Sequence, residues 1–179
     1  MSSSSPLPSN PVYDAIRTRR VTRAMSPEPV DPDLVAAVLE SARWAPNAGN
    51  RRLQPVLPVS DPVTLRLLRA ISPGMVPRPP AALVICVDAA RAEEFGFPPR
   101  YRGLYVDVGT TAATLLLAAQ SVGLGACPVT SFSRSAAARI LGLRNGLSAE
   151  MIVCLGHPAD TQPATLSALP SGEVSPPGS

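Results

Sequence analysis

The sequence predicts an α/β or α+β domain, and three observations carry that reading. Short Asn-Pro or Asp-Pro starts precede apolar residues at helical spacing. Between them lie brief Val/Ile/Leu-rich runs of strand length. The 179 residues are 45% hydrophobic and 16% charged, enough apolar material to fill one core and too much for a disordered chain.

The elements follow in order. Asn10-Pro11 caps a helix running into Arg17, and Asp31-Pro32 repeats the device before Leu34, Val35, Val38, Leu39 and Ala42, a stripe at helical spacing. Residues 46–54 are rich in Asn, Gly and Arg and read as a loop. Val56 to Val59 is a short strand, and Asp61-Pro62 opens a third helix through Leu65 and Leu68. Ala81 to Val87 is a continuous apolar run, the pattern of a strand buried on both faces. Phe95 to Gly103 is a Pro/Gly-rich loop. Leu104 to Val122 is the longest helix, apolar around most of its girth and closed by Gly123. Ser133 to Leu141 is a short helix stopped by Gly142, and Met151 to Leu155 a last buried strand. Residues 1–10 form a Ser/Pro arm expected to be flexible, residues 11–160 the domain, and residues 161–179 an extended Pro-rich tail. Within that tail Ala164 to Leu169 could pair with a partner protomer.

Composition narrows the classes of function. No apolar run approaches the roughly 18 residues of a membrane span, and residues 1–11 lack the basic and apolar regions of a secretory leader. Cys86, Cys127 and Cys154 are far apart with no metal spacing, so neither a disulfide scaffold nor a metal site is expected. A cytoplasmic protein is the expectation. The formal charge is +3, and all 16 basic residues are arginine, which excludes a lysine Schiff base and leaves planar forks suited to phosphate. Basicity this mild favours anionic ligands without implying nucleic acid. Aromatic residues, at 4%, are too few for single-strand stacking platforms.

Three groups of residues can carry chemistry. Arg17, Arg19, Arg20 and Arg23, with Thr18 and Thr22 between them, could hold a phosphate bidentately; the same cluster also reads as a solvated face or an ion-pair set with Glu28, Asp31 and Asp33. Ala45-Pro46-Asn47-Ala48-Gly49-Asn50-Arg51-Arg52 could bring backbone and amide groups against a ligand, or simply end a helix. Gly123 to Phe132 is a glycine-rich loop without the spacing of a dinucleotide fingerprint or a P-loop.

Taken in order, these runs resemble the nitroreductase family of flavin enzymes. The resemblance rests on Ile16 to Met25, Ala45 to Asn50, Asp107-Val-Gly in a Leu/Ala-rich helix, Gly-Leu-Gly with Pro128 to Phe132, and Leu155-Gly-His-Pro158. It implies an α+β three-layer domain, a mostly antiparallel sheet flanked by helices, in a homodimer with FMN at the interface. It further implies hydride transfer from NAD(P)H to a nitro, quinone or related small-molecule acceptor. In this resemblance Arg19 and Arg20 match the residues on the FMN phosphate and ribityl chain, with Val21 beside them. Arg23 matches the cation at the pyrimidine edge, where the reduced ring is anionic. Pro46, Asn47, Ala48 and Asn50 match a loop lent by one protomer to the flavin of the other. Pro128, Val129, Thr130 and Ser131 match the segment over the ring, with the Thr130 backbone N–H near N5. No side-chain acid or base is required, because the flavin carries the chemistry.

The sequence also departs from that pattern. Val21 stands where the family usually has Ser, and Arg52-Leu53-Gln54 replaces Gln-Pro-Trp. No basic residue follows Pro158, so Arg51 or Arg52 would have to compensate. A short segment between Val87 and Leu104 implies an open pocket. These departures keep two alternatives in view: a flavin oxidase or dehydrogenase tailoring a peptide or other natural product, and a flavin-binding protein without turnover. Trp44 reads as a packing anchor or, alternatively, as a border of the pocket, His157 as a strand-end residue, Cys127 as a buried thiol, and Glu93 and Glu94 as solvated charges.

Overall fold

The computed structural model describes residues 10–98 and 101–159. The expected Ser/Pro arm, apart from Asn10, and the Pro-rich tail lie outside the described residues. Among the described residues six α-helices and four β-strands follow in chain order: α1 (Pro11–Thr18), α2 (Pro32–Ser41), β1 (Val56–Val59), α3 (Pro62–Ala70), β2 (Ala81–Asp88), α4 (Ala89–Glu94), α5 (Gly103–Ser121), β3 (Gly125–Val129), α6 (Arg134–Ile140) and β4 (Leu147–Gly156). The Asn/Asp-Pro starts act as read. Asn10 Oδ1 accepts from Val12 N at 2.9 Å, Asp31 Oδ1 from Asp33 N at 2.9 Å, and Asp61 Oδ2 from Thr64 N at 2.8 Å.

The four strands form one antiparallel sheet in the order β1-β2-β4-β3. All eight residues of β2 are buried, as its unbroken apolar run requires. Ala81, Leu83, Ile85 and Val87 face a core shared with α2 and α5. Ala82, Val84 and Cys86 face a second core shared with α3 and α6. Helices on both faces of the sheet make three layers, the expected α+β architecture.

A β-bulge lies in β4. The register steps from Ile85↔Met151 to Cys86↔Ala149, leaving Glu150 as the extra residue. Ala149 therefore joins the α3/α6 core, although Met151 and Val153 face the other one. Glu150 is buried and its Oε2 accepts from Arg134 Nε at 2.7 Å. Asp88 is likewise buried, capping α4 through Arg91 N at 3.1 Å and pairing with Arg144.

The structure differs from the sequence reading at three places. Ala89–Glu94 is helical because the Asp88 carboxylate caps it, although Glu93 and Glu94 are exposed as expected. The last strand begins at Leu147 and ends at Gly156, its N-terminal half hidden in the sequence by the bulge. The glycine-rich loop expected over residues 123–132 contains strand β3, and Pro128 is tolerated there because β3 lies at the edge of the sheet. Among the described residues no helix is long and apolar enough to cross a membrane.

Candidate functional site

The arginine segment leaves α1 and runs along the open edge of β3. Val21 bridges Ala126 in parallel, and Thr22 N donates to Ala126 O at 2.9 Å. Gly125 permits this approach, since a Cβ there would lie 2.6 Å from Thr22 Cγ2. Farther on, Met25 bridges Pro158, and Ser26 N donates to His157 O, which makes that histidine a strand-end residue. The Val21 side chain packs against the α3/α6 core and offers no hydrogen bond in place of the family's serine.

The ion-pair alternative for the cluster is not realised. Arg17 pairs with Asp14 at 2.9 Å, but among the described residues Arg19, Arg20 and Arg23 have no carboxylate partner. One arm of Arg20 donates to Arg17 O at 2.6 Å and Arg19 O at 3.0 Å, so the guanidinium is held by backbone rather than neutralised. Arg23 lies by Cys127: burial raises that thiol's pKa, and the Arg23 charge pulls it partly back. The fold thus lays unpaired cations along β3, Arg20 in a hollow with Gly123 to Ala126 and Arg23 by Cys127, with Pro128, Val129, Thr130 and Ser131 following in the chain. Thr130 and Ser131 are exposed where β3 ends, and Ser131 O accepts from Ser72 Oγ at 3.2 Å. This donor set fits a phosphorylated, electron-rich ring, with forks for the phosphate and a fixed charge for a reduced heterocycle.

The Asn-rich loop is pinned at the other end of α5. Asp107, buried in that helix, accepts from Ala48 N at 2.9 Å, and Thr110 Oγ1 donates to Pro46 O at 2.8 Å. Asn47 Oδ1 accepts from Arg52 N at 3.0 Å, and the Arg51 guanidinium sits 4.4 Å over the Phe95 ring. Gly49, Asn50 and Arg52 take φ of 60°, 54° and 51°. The left-handed form suits Gly and is tolerated by Asn, but it strains Arg52. Asn47 and Arg52 line a cavity of about 510 Å³ with Glu40, Arg43, Gln54 and Thr111.

Within one chain the two halves of the predicted site do not meet. Gln120 Nε2 donates to Thr18 Oγ1 at 2.7 Å and so marks the arginine end of α5. Asp107 marks the loop end; 13 positions of helix amount to about 20 Å. Arg51 and Arg52 share the loop end, so they cannot replace a missing phosphate ligand beside Arg19 and Arg20 of the same protomer. Trp44 is 78% exposed at the loop end, against its expected role as a packing anchor. Tyr105 is also exposed there, and Phe97 stacks on Tyr101 at 5.2 Å between centroids.

Asp107 is the residue whose role the sequence reading missed. Its partner lies 59 positions away, so no local spacing reveals it. The available signal was an acid flanked by Val106 and Val108 in a helix that is apolar on nearly every side.

Comparison with known proteins follows the same outline. The model of the Nitroreductase family matches residues 16–80 and 67–157. An NADH dehydrogenase of Thermus thermophilus is 28% identical over 183 residues, covering 84% of this chain and 89% of its own. The structure of Bacillus megaterium NfrA1 superposes with a TM-score of 0.78 at 23% identity, over 95% of this chain and 75% of that one. A nitroreductase family protein from Clostridium novyi gives 0.73 at 19% identity, over 83% and 85%. At these identities the two structures speak for the fold alone.

Proposed function

The chain belongs to the nitroreductase family, and on that footing we propose that it is an FMN-dependent oxidoreductase carrying electrons from NAD(P)H to small nitro, quinone or related acceptors. The observation that carries the proposal is the run of unpaired Arg19, Arg20 and Arg23 along the edge of β3, where Val21 bridges Ala126 and Arg23 lies by Cys127, just before Pro128–Ser131 in the chain. Arg19 and Arg20 would grip the phosphate. Arg23 would favour negative charge on the reduced ring, and the Thr130 backbone would orient its N5 edge. Bound FMN would supply the hydride chemistry itself. The exposed aromatic groups around Tyr105 would offer a flat acceptor a surface to stack on.

The proposal includes a homodimer. Helix α1 buries none of its residues, and Val12 and Ile16 are 65% and 52% exposed. Eight residues are too few for a helix to persist unsupported in water. Tyr105 and Val106 expose a comparable apolar stretch on α5. A second copy covering both would bring its Asn47 loop to the arginines of the first. Free Cys86, Cys127 and Cys154 accord with a reducing cytoplasm.

The test is the visible spectrum of the purified protein. Flavin bands near ~370 and ~450 nm, released and identified as FMN, are expected, with bleaching by NAD(P)H under anaerobic conditions. A colourless protein that refuses added FMN would overturn the cofactor assignment. Flavin bands that NAD(P)H leaves unbleached would overturn the reductant.

A further inference from the structure

On the sheet face opposite α5, Arg66 and Arg69 project one turn apart from α3. Arg78, in the connection to β2, converges with them on a hollow of about 410 Å³. The walls are largely proline, Pro29, Pro62 and Pro79 among them, with Ser60 also in the lining. No carboxylate lines the hollow, and among the described residues none of the three guanidinium groups is ion-paired. Asp61 is next to a lining residue, but its carboxylate caps α3, accepting from Thr64 N at 2.8 Å and Thr64 Oγ1 at 2.7 Å. Glu28, between lining Pro27 and Pro29, is exposed and does not line the hollow.

Isolated surface arginines are ordinarily just solvated. Three of them converging on one concavity without a counter-charge repel one another, and an anion between them would relieve that repulsion. Guanidinium forks match phosphate oxygens in pairs. Proline walls have fixed backbone and lose little freedom when a ligand settles. The volume falls within the range of small-molecule sites. We propose that this hollow binds a phosphorylated small molecule, its phosphate held by Arg66, Arg69 and Arg78 and its organic part against the prolines.

The site does not depend on the flavin assignment, and the titration that tests it reads binding alone; only the later choice between sources of the phosphate rests on the proposed activity. The full-length protein is titrated calorimetrically with inorganic pyrophosphate and with 2′,5′-ADP. The panel comprises wild type, Arg69→Ala, Arg78→Ala and, as a control on α6, Arg139→Ala, all with matched thermal unfolding. Wild type and Arg139→Ala are expected to bind equally, with affinity falling as salt rises. Arg69→Ala and Arg78→Ala should each bind about tenfold more weakly or worse. No binding to wild type at millimolar probe, or equal binding by all four proteins, would overturn the proposal. Two sources of such a phosphate are then separable. A KM raised for NADPH but not NADH in Arg78→Ala assigns it to the reductant's 2′-phosphate. Unchanged KM values with probe binding lost assign it to a separate phosphorylated ligand. A protein that proves colourless leaves the titration fully readable.

Discussion

Asp107 commits a buried carboxylate to one backbone N–H, that of Ala48. Removing it in Asp107→Ala strands that donor against the helix, at a cost of about 1–3 kcal/mol in chemical unfolding. Asp107→Asn keeps an acceptor oxygen and should lose less than half as much. If the loop serves a flavin as proposed, FMN affinity measured by fluorescence should follow the same order: wild type, Asn, Ala. Equal affinity in all three would detach the Asp107 contact from cofactor binding. The three thiols make a second expectation at this scale. Burial pushes Cys86 up to about 11 and Cys154 up to about 12, and it raises Cys127 against the pull of Arg23. Raised values leave almost no thiolate at pH 8, so a disulfide reagent should modify no cysteine in the native state. After denaturation it should modify all of Cys86, Cys127 and Cys154. Rapid native labelling of any of them would show that the sheet opens more readily than its packing implies.

Helix starts were the most legible elements, because a side-chain cap followed by proline fixes geometry locally. Asp61 shows how local: hydrogen bonds from Thr64 hold its carboxyl below the usual 3.8. A carboxyl whose pKa is lower when folded stabilises above its unfolded value, and that contribution disappears as pH falls through the folded one. The stability difference between wild type and Asp61→Ala should therefore be constant near neutrality and shrink below about pH 4. A difference that persisted at pH 2 would mean that the alanine acts through packing. Strands were legible where burial on both faces gave an unbroken run, as in β2, and at β1, which spans Val56–Val59 as read. Strand β3 was not, because Gly125 and Pro128 interrupt β patterning. They fit only because the arginine segment lies against one and the sheet edge accommodates the other. The start of β4 was hidden by Glu150, whose burial depends on Arg134 in another element. The arginine cluster and the Asn loop were readable as residue types in order, whereas their separation along α5 exists only in three dimensions.

At the scale of the molecule, the exposed apolar stretches on α1 and α5 define what a partner must cover. Light scattering should give twice the 18.6 kDa chain mass, and Ile16→Asp, which places a charge on that stretch, should give a monomer that no longer retains FMN. A wild-type monomer that held flavin would rule out a shared site. If two copies share their sites as proposed, the placement of Arg20 and Asn47 beside opposite ends of α5 carries a genetic consequence. A variant disabled at Arg20 and another disabled at Asn47 would each be inactive alone. Mixed and allowed to exchange subunits, they would form hybrids in which one site inherits both lesions and the other none. Random pairing leaves roughly a quarter of all sites intact, so two dead alleles of this protein should complement each other in the same cell.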